Sequence, residues 1–131
     1  MNDLQKNILI TGAASGLGKA IAKIYATKGW NILAVDIQDQ LGQQFVDELI
    51  ANGQSAEYYH CDIGKKQNFD DLFDAVSAKH ECIDVLINNA GIASSGTLES
   101  TTEEQWRRLI DLDLMSVVYG TMAMLPLLRK S

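Results

Sequence analysis

Thr11-Gly12-Ala13-Ala14-Ser15-Gly16-Leu17-Gly18 decides the reading of this 131-residue chain. The stretch follows directly on the apolar run Asn7-Ile8-Leu9-Ile10 and opens a segment with helical periodicity. A strand-to-helix turn of this kind gathers the free N–H groups of a helix start around one point, and the helix dipole adds partial positive charge there. Such a turn suits a pyrophosphate. Glycines let the backbone approach phosphate oxygens without a Cβ in the way, and let the helix lie close to the sheet. The spacing is G-x-x-x-G-x-G, not G-x-G-x-x-G. A Walker loop is excluded, because Gly12 and Gly18 stand too far apart and Lys19 is followed by Ala20 rather than by Ser or Thr.

Outward from this turn, short apolar runs alternate with amphipathic stretches. Strand-like runs lie at Asn7-Ile8-Leu9-Ile10-Thr11, Ile32-Leu33-Ala34-Val35, Ala56 to Cys61 and Ile83 to Ile87. The first, second and fourth are apolar enough to suit strands covered on both faces. Their starts recur about every 25 residues, the length of a strand–helix unit with two short loops. Leu17, Ala20, Ile21, Ile24 and Tyr25 predict the apolar face of a first helix, which Gly29 ends. Leu41, Phe45, Val46 and Leu49 predict a second, closed by Asn52-Gly53, and Phe69, Leu72, Phe73 and Val76 a third. The fourth is expected to begin around Ser100-Thr101-Thr102-Glu103-Glu104, where a Thr cap and early acidic residues suit the positive helix end. It runs through Trp106, Leu109 and Ile110 to about Leu128, with Pro126 near its end. Strand, helix, strand, helix predicts an α/β fold, a doubly wound parallel sheet in three α/β/α layers with strand order 3-2-1-4. Residues 1–131 form one domain without a linker or low-complexity segment.

Asp36 follows the second strand about 20 residues after the glycine turn, where a dinucleotide fold places a carboxylate to accept from the adenosine ribose hydroxyls. A 2′-phosphate there would meet a like charge. Ile37 and Gln38 supply no cation, and Ser15 inside the turn is neutral. Both points favour NAD over NADP. Asp62, at the end of the third strand, either caps a helix or accepts from an adenine amino group. Asn88-Asn89-Ala90-Gly91 ends the fourth strand. Asn side chains there bridge backbone groups, and the small Ala90-Gly91 pair leaves room for a flat cofactor. All these loops sit at carboxyl ends of parallel strands, where open α/β sheets bind ligands.

Hydrophobic residues make up 47% and charged residues 21%, in the range of soluble globular proteins. The net charge of −6 argues against general affinity for nucleic acid, which needs a basic face. No unbroken apolar run approaches the roughly 20 residues that cross a bilayer. The start, Met1-Asn2-Asp3-Leu4-Gln5-Lys6, lacks the pattern of a secretory leader, and a cytoplasmic location is expected. Cys61 and Cys82 have no metal-like spacing, so they read as free thiols, and no metal site is expected.

The glycine turn, Asp36, Asp62-Ile63, Asn88-Asn89-Ala90-Gly91 and the stretch from Trp106 to Leu125-Pro126 together resemble the short-chain dehydrogenase/reductase family, over the whole chain. The resemblance implies a Rossmann-like NAD(P)-binding domain, truncated after its fourth β–α unit, with the catalytic and substrate half missing. It implies hydride transfer between a nicotinamide and a secondary alcohol or ketone, on an unknown small substrate. It assigns Gly12, Ser15, Gly16, Leu17 and Gly18 to the pyrophosphate side of the cofactor and Asp36 to the ribose. Asp62 and Ile63 fall by adenine, and Asn89, Ala90 and Gly91 on the wall behind the ribose. A homo-oligomer through the helix around 104–128 follows from the same comparison.

Two departures from the family pattern stand out. Asp113 occupies the place of an Asn that helps organise a proton relay, and it lacks the amide donor. The family's Ser and Tyr-x-x-x-Lys are also absent. The residues four places after Tyr25, Tyr58, Tyr59 and Tyr119 are Gly29, Asp62, Ile63 and Ala123, and Ser94 and Ser95 read as loop polar groups. The chain is therefore expected to be inactive alone. The alternative is a non-catalytic NAD-binding or subunit-docking module. A sugar-nucleotide epimerase fits the joint pattern less well.

Overall fold

Ile8 and Ile10 of the first strand, β1 (Asn7–Thr11), point to one side of the sheet and Leu9 to the other, and two separate cores grow from that alternation. A computed structural model describes residues 4–131, so Met1 to Asp3 and the part of the leader reading that rests on them lie outside the described residues. Chain order continues with α1 (Gly16–Thr27), β2 (Asn31–Asp36), α2 (Asp39–Ala51), β3 (Ala56–His60), α3 (Lys66–Ser77) and β4 (Val85–Ile87). A long final helix comprises α4 (Glu103–Leu109), a π-helical segment (Ile110–Met115) and α5 (Ser116–Leu128). All strand pairs are parallel, in the order β3-β2-β1-β4, as the sequence predicts.

On one face Ile8, Ile10, Ile32 and Ala34 pack under Ala22 and Ala26 of α1 and Phe45, Val46 and Leu49 of α2. On the other, Leu9, Leu33 and Val35 meet Phe69, Leu72 and Val76 of α3 and Met124 and Leu127 of α5. Each such side chain stabilises the fold by about 1.5–3 kcal/mol relative to exposure. The predicted third helix face is confirmed. The first is corrected: Leu17 and Ile24 are 69% and 55% exposed, and the buried stripe is Gly18, Ala22 and Ala26. Helix α1 lies so close to the sheet that only small residues fit beneath it. In α2, Leu41 is likewise exposed, and Gly42 joins the buried face.

The amino ends of the strands are joined by a polar ladder. The Ser55 hydroxyl donates to Asn31 Oδ1 (2.7 Å), Asn31 Nδ2 to Asn7 Oδ1 (2.9 Å), and Asn7 Nδ2 to the Cys82 carbonyl (3.0 Å). Asp84 Oδ2 accepts from the Asn7 N–H (2.8 Å). This last contact shortens the predicted fourth strand. Ile83 is fully buried, but its N–H bonds the Leu127 carbonyl (3.3 Å) and not a neighbouring strand. β4 therefore starts at Val85 and forms a half-exposed sheet edge.

The final helix opens on a capping box. Thr102 Oγ1 accepts from the Gln105 N–H (3.2 Å) and Gln105 Oε1 from the Thr102 N–H (2.8 Å). Among the described residues this helix, Glu103–Leu128, is the one long and apolar enough to cross a bilayer, with a mean hydropathy of 1.3 and 17% of the window buried. Its length was predicted; the π-helical turn was not. Ser116 Oγ donates to the Leu112 carbonyl (2.7 Å) and so competes with the regular ladder there. Cys61 and Cys82 are both free, and Cys61 is buried. Burial, then the charges of Asp62 and Asp71, push its thiol up to about 11.

The outer strand β3 is tied to the end of α3 through Glu57, which accepts from the Tyr59 hydroxyl (2.7 Å) and pairs with His80 Nε2 (2.9 Å) and Lys79 (3.4 Å). Partial burial raises the Glu57 carboxyl, but the Tyr59, His80 and Lys79 partners outweigh it and hold the group below its ordinary 4.5. A carboxyl depressed in the folded state stabilises the fold above its unfolded value and loses that contribution as pH falls through the folded one. Glu57→Gln is thus expected to lower the melting temperature near neutrality and to flatten its decline below about pH 4.5. Thermal melts of both forms across that range check this, and parallel curves would refute the pairing.

Candidate functional site

Four turns at the carboxyl ends of the strands, with one face of the long helix, enclose a groove of about 750 Å³. The turns after β1 and β2 contribute Gly12, Ser15, Asp36, Ile37 and Gln38. Those after β3 and β4 contribute Asp62, Ile63, Gly64, Lys65 and the run Asn89 to Ile92. The helix closes the far side with Glu104, Arg107, Arg108, Asp111 and Leu112.

The glycine turn depends on two close approaches. Gly12 has φ +69°, and a Cβ on it would lie 2.8 Å from Asn89 Nδ2. A Cβ on Gly18 would lie 2.3 Å from the Gly12 carbonyl oxygen. Side chains at these positions would push α1 away from the sheet. Thr11 joins the two central turns. Its Oγ1 accepts from the N–H groups of Asn89 and Ala90, each at 3.0 Å, and Asn89 Nδ2 donates back to the Thr11 carbonyl at 3.0 Å. The bridging expected of the Asn pair is found. Asn89 performs it, while Asn88 Nδ2 reaches Thr121 Oγ1 in α5 (3.1 Å).

Asp36 is 7% exposed. Its Oδ2 accepts from the Ala14 N–H (2.9 Å), and its Oδ1 from the N–H groups of Ile37 (2.8 Å) and Gln38 (3.0 Å). The carboxylate thus fastens the glycine turn to the end of β2, a role that sequence reasoning missed. About four acceptor positions exist on a carboxylate, so one on Oδ2 is left without a protein donor among the described residues, and Asp36 lines the groove. Asp62 Oδ1 accepts from the Gly64 N–H (3.0 Å) and turns the loop; α3 begins after Lys65 with no side-chain cap.

Gly16, Leu17 and Gly18 belong to the turn but not to the groove wall. Asp113 also stands behind the wall, in the π-helical segment, where its Oδ1 accepts from the Ile92 N–H (2.8 Å). A Cβ on Gly91 would lie 2.8 Å from that same oxygen. The helix residues of the groove were missed as well. Their spacing, 104, 107/108 and 111/112, marks one helical face, but only packing decides what that face meets.

Tyr58 and Tyr59 are not poised for proton transfer. Burial first, then the Asp39 carboxylate, raises the Tyr58 phenol well above its ordinary range, and burial with Glu57 does the same to Tyr59. A general acid/base near neutrality requires the opposite shift. The Tyr58 hydroxyl lies 2.6 Å from Asp39 Oδ1 and 2.9 Å from the Asp36 carbonyl, so it braces the turn after β2. His60 Nδ1 meets the same Asp39 oxygen at 2.6 Å, and these hydrogen bonds hold Asp39 below the usual carboxylate range.

A parallel sheet with this glycine turn and acidic β2 end defines a nucleotide-binding α/β protein. Residues 6–131 match the family model for short chain dehydrogenases, and the chain belongs to that family. It is similar to cyclopentanol dehydrogenase of Comamonas sp. (strain NCIMB 9872), 31% identical over 126 residues, which cover 96% of this chain and 50% of the relative. Its fold is similar to an alcohol dehydrogenase from the archaeon Thermococcus sibiricus complexed with 5-hydroxy-NADP (TM-score 0.93, 27% identity, covering 97% of this chain and 55% of that one). It is also similar to a short chain dehydrogenase/reductase from Burkholderia phymatum in complex with NAD (TM-score 0.89, 28% identity, 94% and 44%). The chain spans about half the length of the curated relatives it matches.

Replacing Thr11 by Val deprives the N–H groups of Asn89 and Ala90 of their acceptor. Thr11→Val is expected to cost about 1–3 kcal/mol and Thr11→Ser much less. Urea unfolding of the three forms measures it, and equal stability of all three would show the hydroxyl to be idle.

Proposed function

We propose that the groove binds a nicotinamide dinucleotide, NAD in preference to NADP, and that the chain is the cofactor-binding portion of an oxidoreductase acting between secondary alcohols and ketones. The observation that carries this is Asp36, a buried carboxylate that lines the groove, is fastened beneath the glycine turn and keeps one acceptor position without a protein donor among the described residues. A ribose diol supplies the donors such a position needs.

The residues fit the group. The close approaches at Gly12 and Gly18 set the turn that carries Ser15 and opens helix α1 at Gly16 and Leu17, and a pyrophosphate lies on that turn, where Gly16 leaves open space. Asp62 and Ile63 serve the adenine, and Asn89, Ala90 and Gly91 back the ribose. Asp113 acts through the Ile92 N–H as a positioning residue for that wall. The charged lining holds four carboxylates, Asp36, Asp62, Glu104 and Asp111, against Lys65, Arg107 and Arg108. This balance favours the cofactor without a 2′-phosphate. A nicotinamide dinucleotide supplies or accepts hydride when bound; the present side chains bind and orient it.

The sequence contains no Tyr followed four residues later by Lys, so turnover by this chain alone is not expected. The same observation favours a second reading, a non-catalytic NAD-binding or subunit-docking module. The exposed stripe of Trp106, Ile110, Leu114 and Met122 supports a subunit contact through the long helix.

Calorimetric titration is expected to give NAD an affinity about tenfold or more above NADP, with Asp36→Ala weakening NAD and narrowing that gap. Equal or tighter NADP binding would reverse the cofactor assignment. Absorbance assays with NAD and a secondary alcohol should show no turnover; sustained NADH production would overturn the expected inactivity.

A further inference from the structure

Arg107 and Arg108 both line the groove from the long helix, but in different states. Arg107 is held by Glu103, whose Oε1 lies 3.1 Å from its Nε and 2.9 Å from its Nη2. Arg108 makes no ion pair or side-chain hydrogen bond among the described residues, so all its donors and its flat face are free. Leu112, one turn further on, lines the groove on the same strip of helix. It lies against the turn after β3, where a Cβ on Gly64 would come 3.3 Å from its Cδ2. The turn after β2 adds Ile37, a branched apolar side chain left 56% exposed at the groove. Two apolar side chains, a carboxylate at Asp62 and an unengaged guanidinium therefore line a single cavity.

Such a set suits a flat, electron-rich heterocycle with an exocyclic donor. Ile37 and Leu112 offer it apolar contact, and Asp62 accepts from its edge. A guanidinium is planar and weakly hydrated, and it stacks on aromatic faces in a way an ammonium does not. We infer that Arg108 recognises the adenine ring of the dinucleotide by stacking at the rim of the groove. The inference rests on the dinucleotide reading and deepens it. A phosphate contact by Arg108 is disfavoured, because Asp36, Asp62, Glu104 and Asp111 share the cavity and repel an added anion. Stacking asks for no negative charge on the ligand, and so it serves NAD, NADP and ADP-ribose alike.

The test is calorimetric titration of the full chain and its Arg108→Ala and Arg108→Lys variants with NAD, NADP and ADP-ribose. Arg108 is exposed, so thermal melts of the variants should match the parent and rule out misfolding. Arg108→Ala is expected to weaken all three ligands by one common factor, about 3- to 30-fold. Arg108→Lys should recover only a minor part of that loss. Loss confined to NADP, full rescue by Lys, or no change with Arg108→Ala would each overturn the stacking role while leaving the dinucleotide reading intact. Failure of the parent itself to bind any of the three ligands would instead overturn the dinucleotide reading, and the role of Arg108 with it.

Discussion

A methyl group on Gly18 would sit 2.3 Å from the carbonyl oxygen of Gly12, and the working end of the molecule is built around that missing methyl. Because α1 can start this close to β1, its buried stripe is reduced to Gly18, Ala22 and Ala26. The same approach brings the glycine turn within reach of Asp36 on one side and Asn89 on the other. The N–H groups of the turns are then divided in two. Those of Ala14, Ile37 and Gln38 are taken by Asp36, and those of Asn89 and Ala90 by Thr11. Buried backbone donors need partners, and these assignments hold the loops in place.

The two ends of the sheet are locked in different ways. At the amino ends, Ser55, Asn31, Asn7 and the Cys82 carbonyl form a ladder of side chains running across the strands. At the carboxyl ends, side chains bind turns instead, and the space between the turns becomes the groove. Buried polar groups such as Asn31 and Thr11 carry a cost unless they are fully partnered, and no orphaned buried side-chain polar atom is found among the described residues. The groove thereby lies at one end of the sheet, while a polar ladder ties the strands at the other.

The long helix serves both the core and the groove. Its last turns bury Met124 and Leu127 against α3 and the sheet. Its first turns stand clear of the core and present Arg108 to the groove, and Leu112 of the π-helical segment joins it there. The π-helical segment lies between them, and Asp113 within it holds the Ile92 N–H. The carboxylate therefore keeps an acceptor role on the loop after β4 even though it has no amide donor. Trp106, Ile110, Leu114 and Met122 stay exposed along the same helix.

The sequence by itself determined the α/β class, the strand order, the glycine turn and the acidic end of β2, because each follows from local periodicity or from chain-order rules for parallel sheets. It also located the helix ends at Gly29 and Gly53, where the backbone takes φ of +82° and +78°. Only the tertiary structure decided which helix faces were buried. Leu17 and Ile24 match a helical apolar pattern as well as Ala22 and Ala26 do, and the distance between α1 and the sheet selects the small ones. Only the tertiary structure, too, turned Asp36 into a bolt for the glycine turn and brought Arg108 to the groove. Those contacts join residues far apart in the chain, and spacing along a sequence carries no record of which distant backbone N–H a carboxylate meets or which cavity a helix face overlooks.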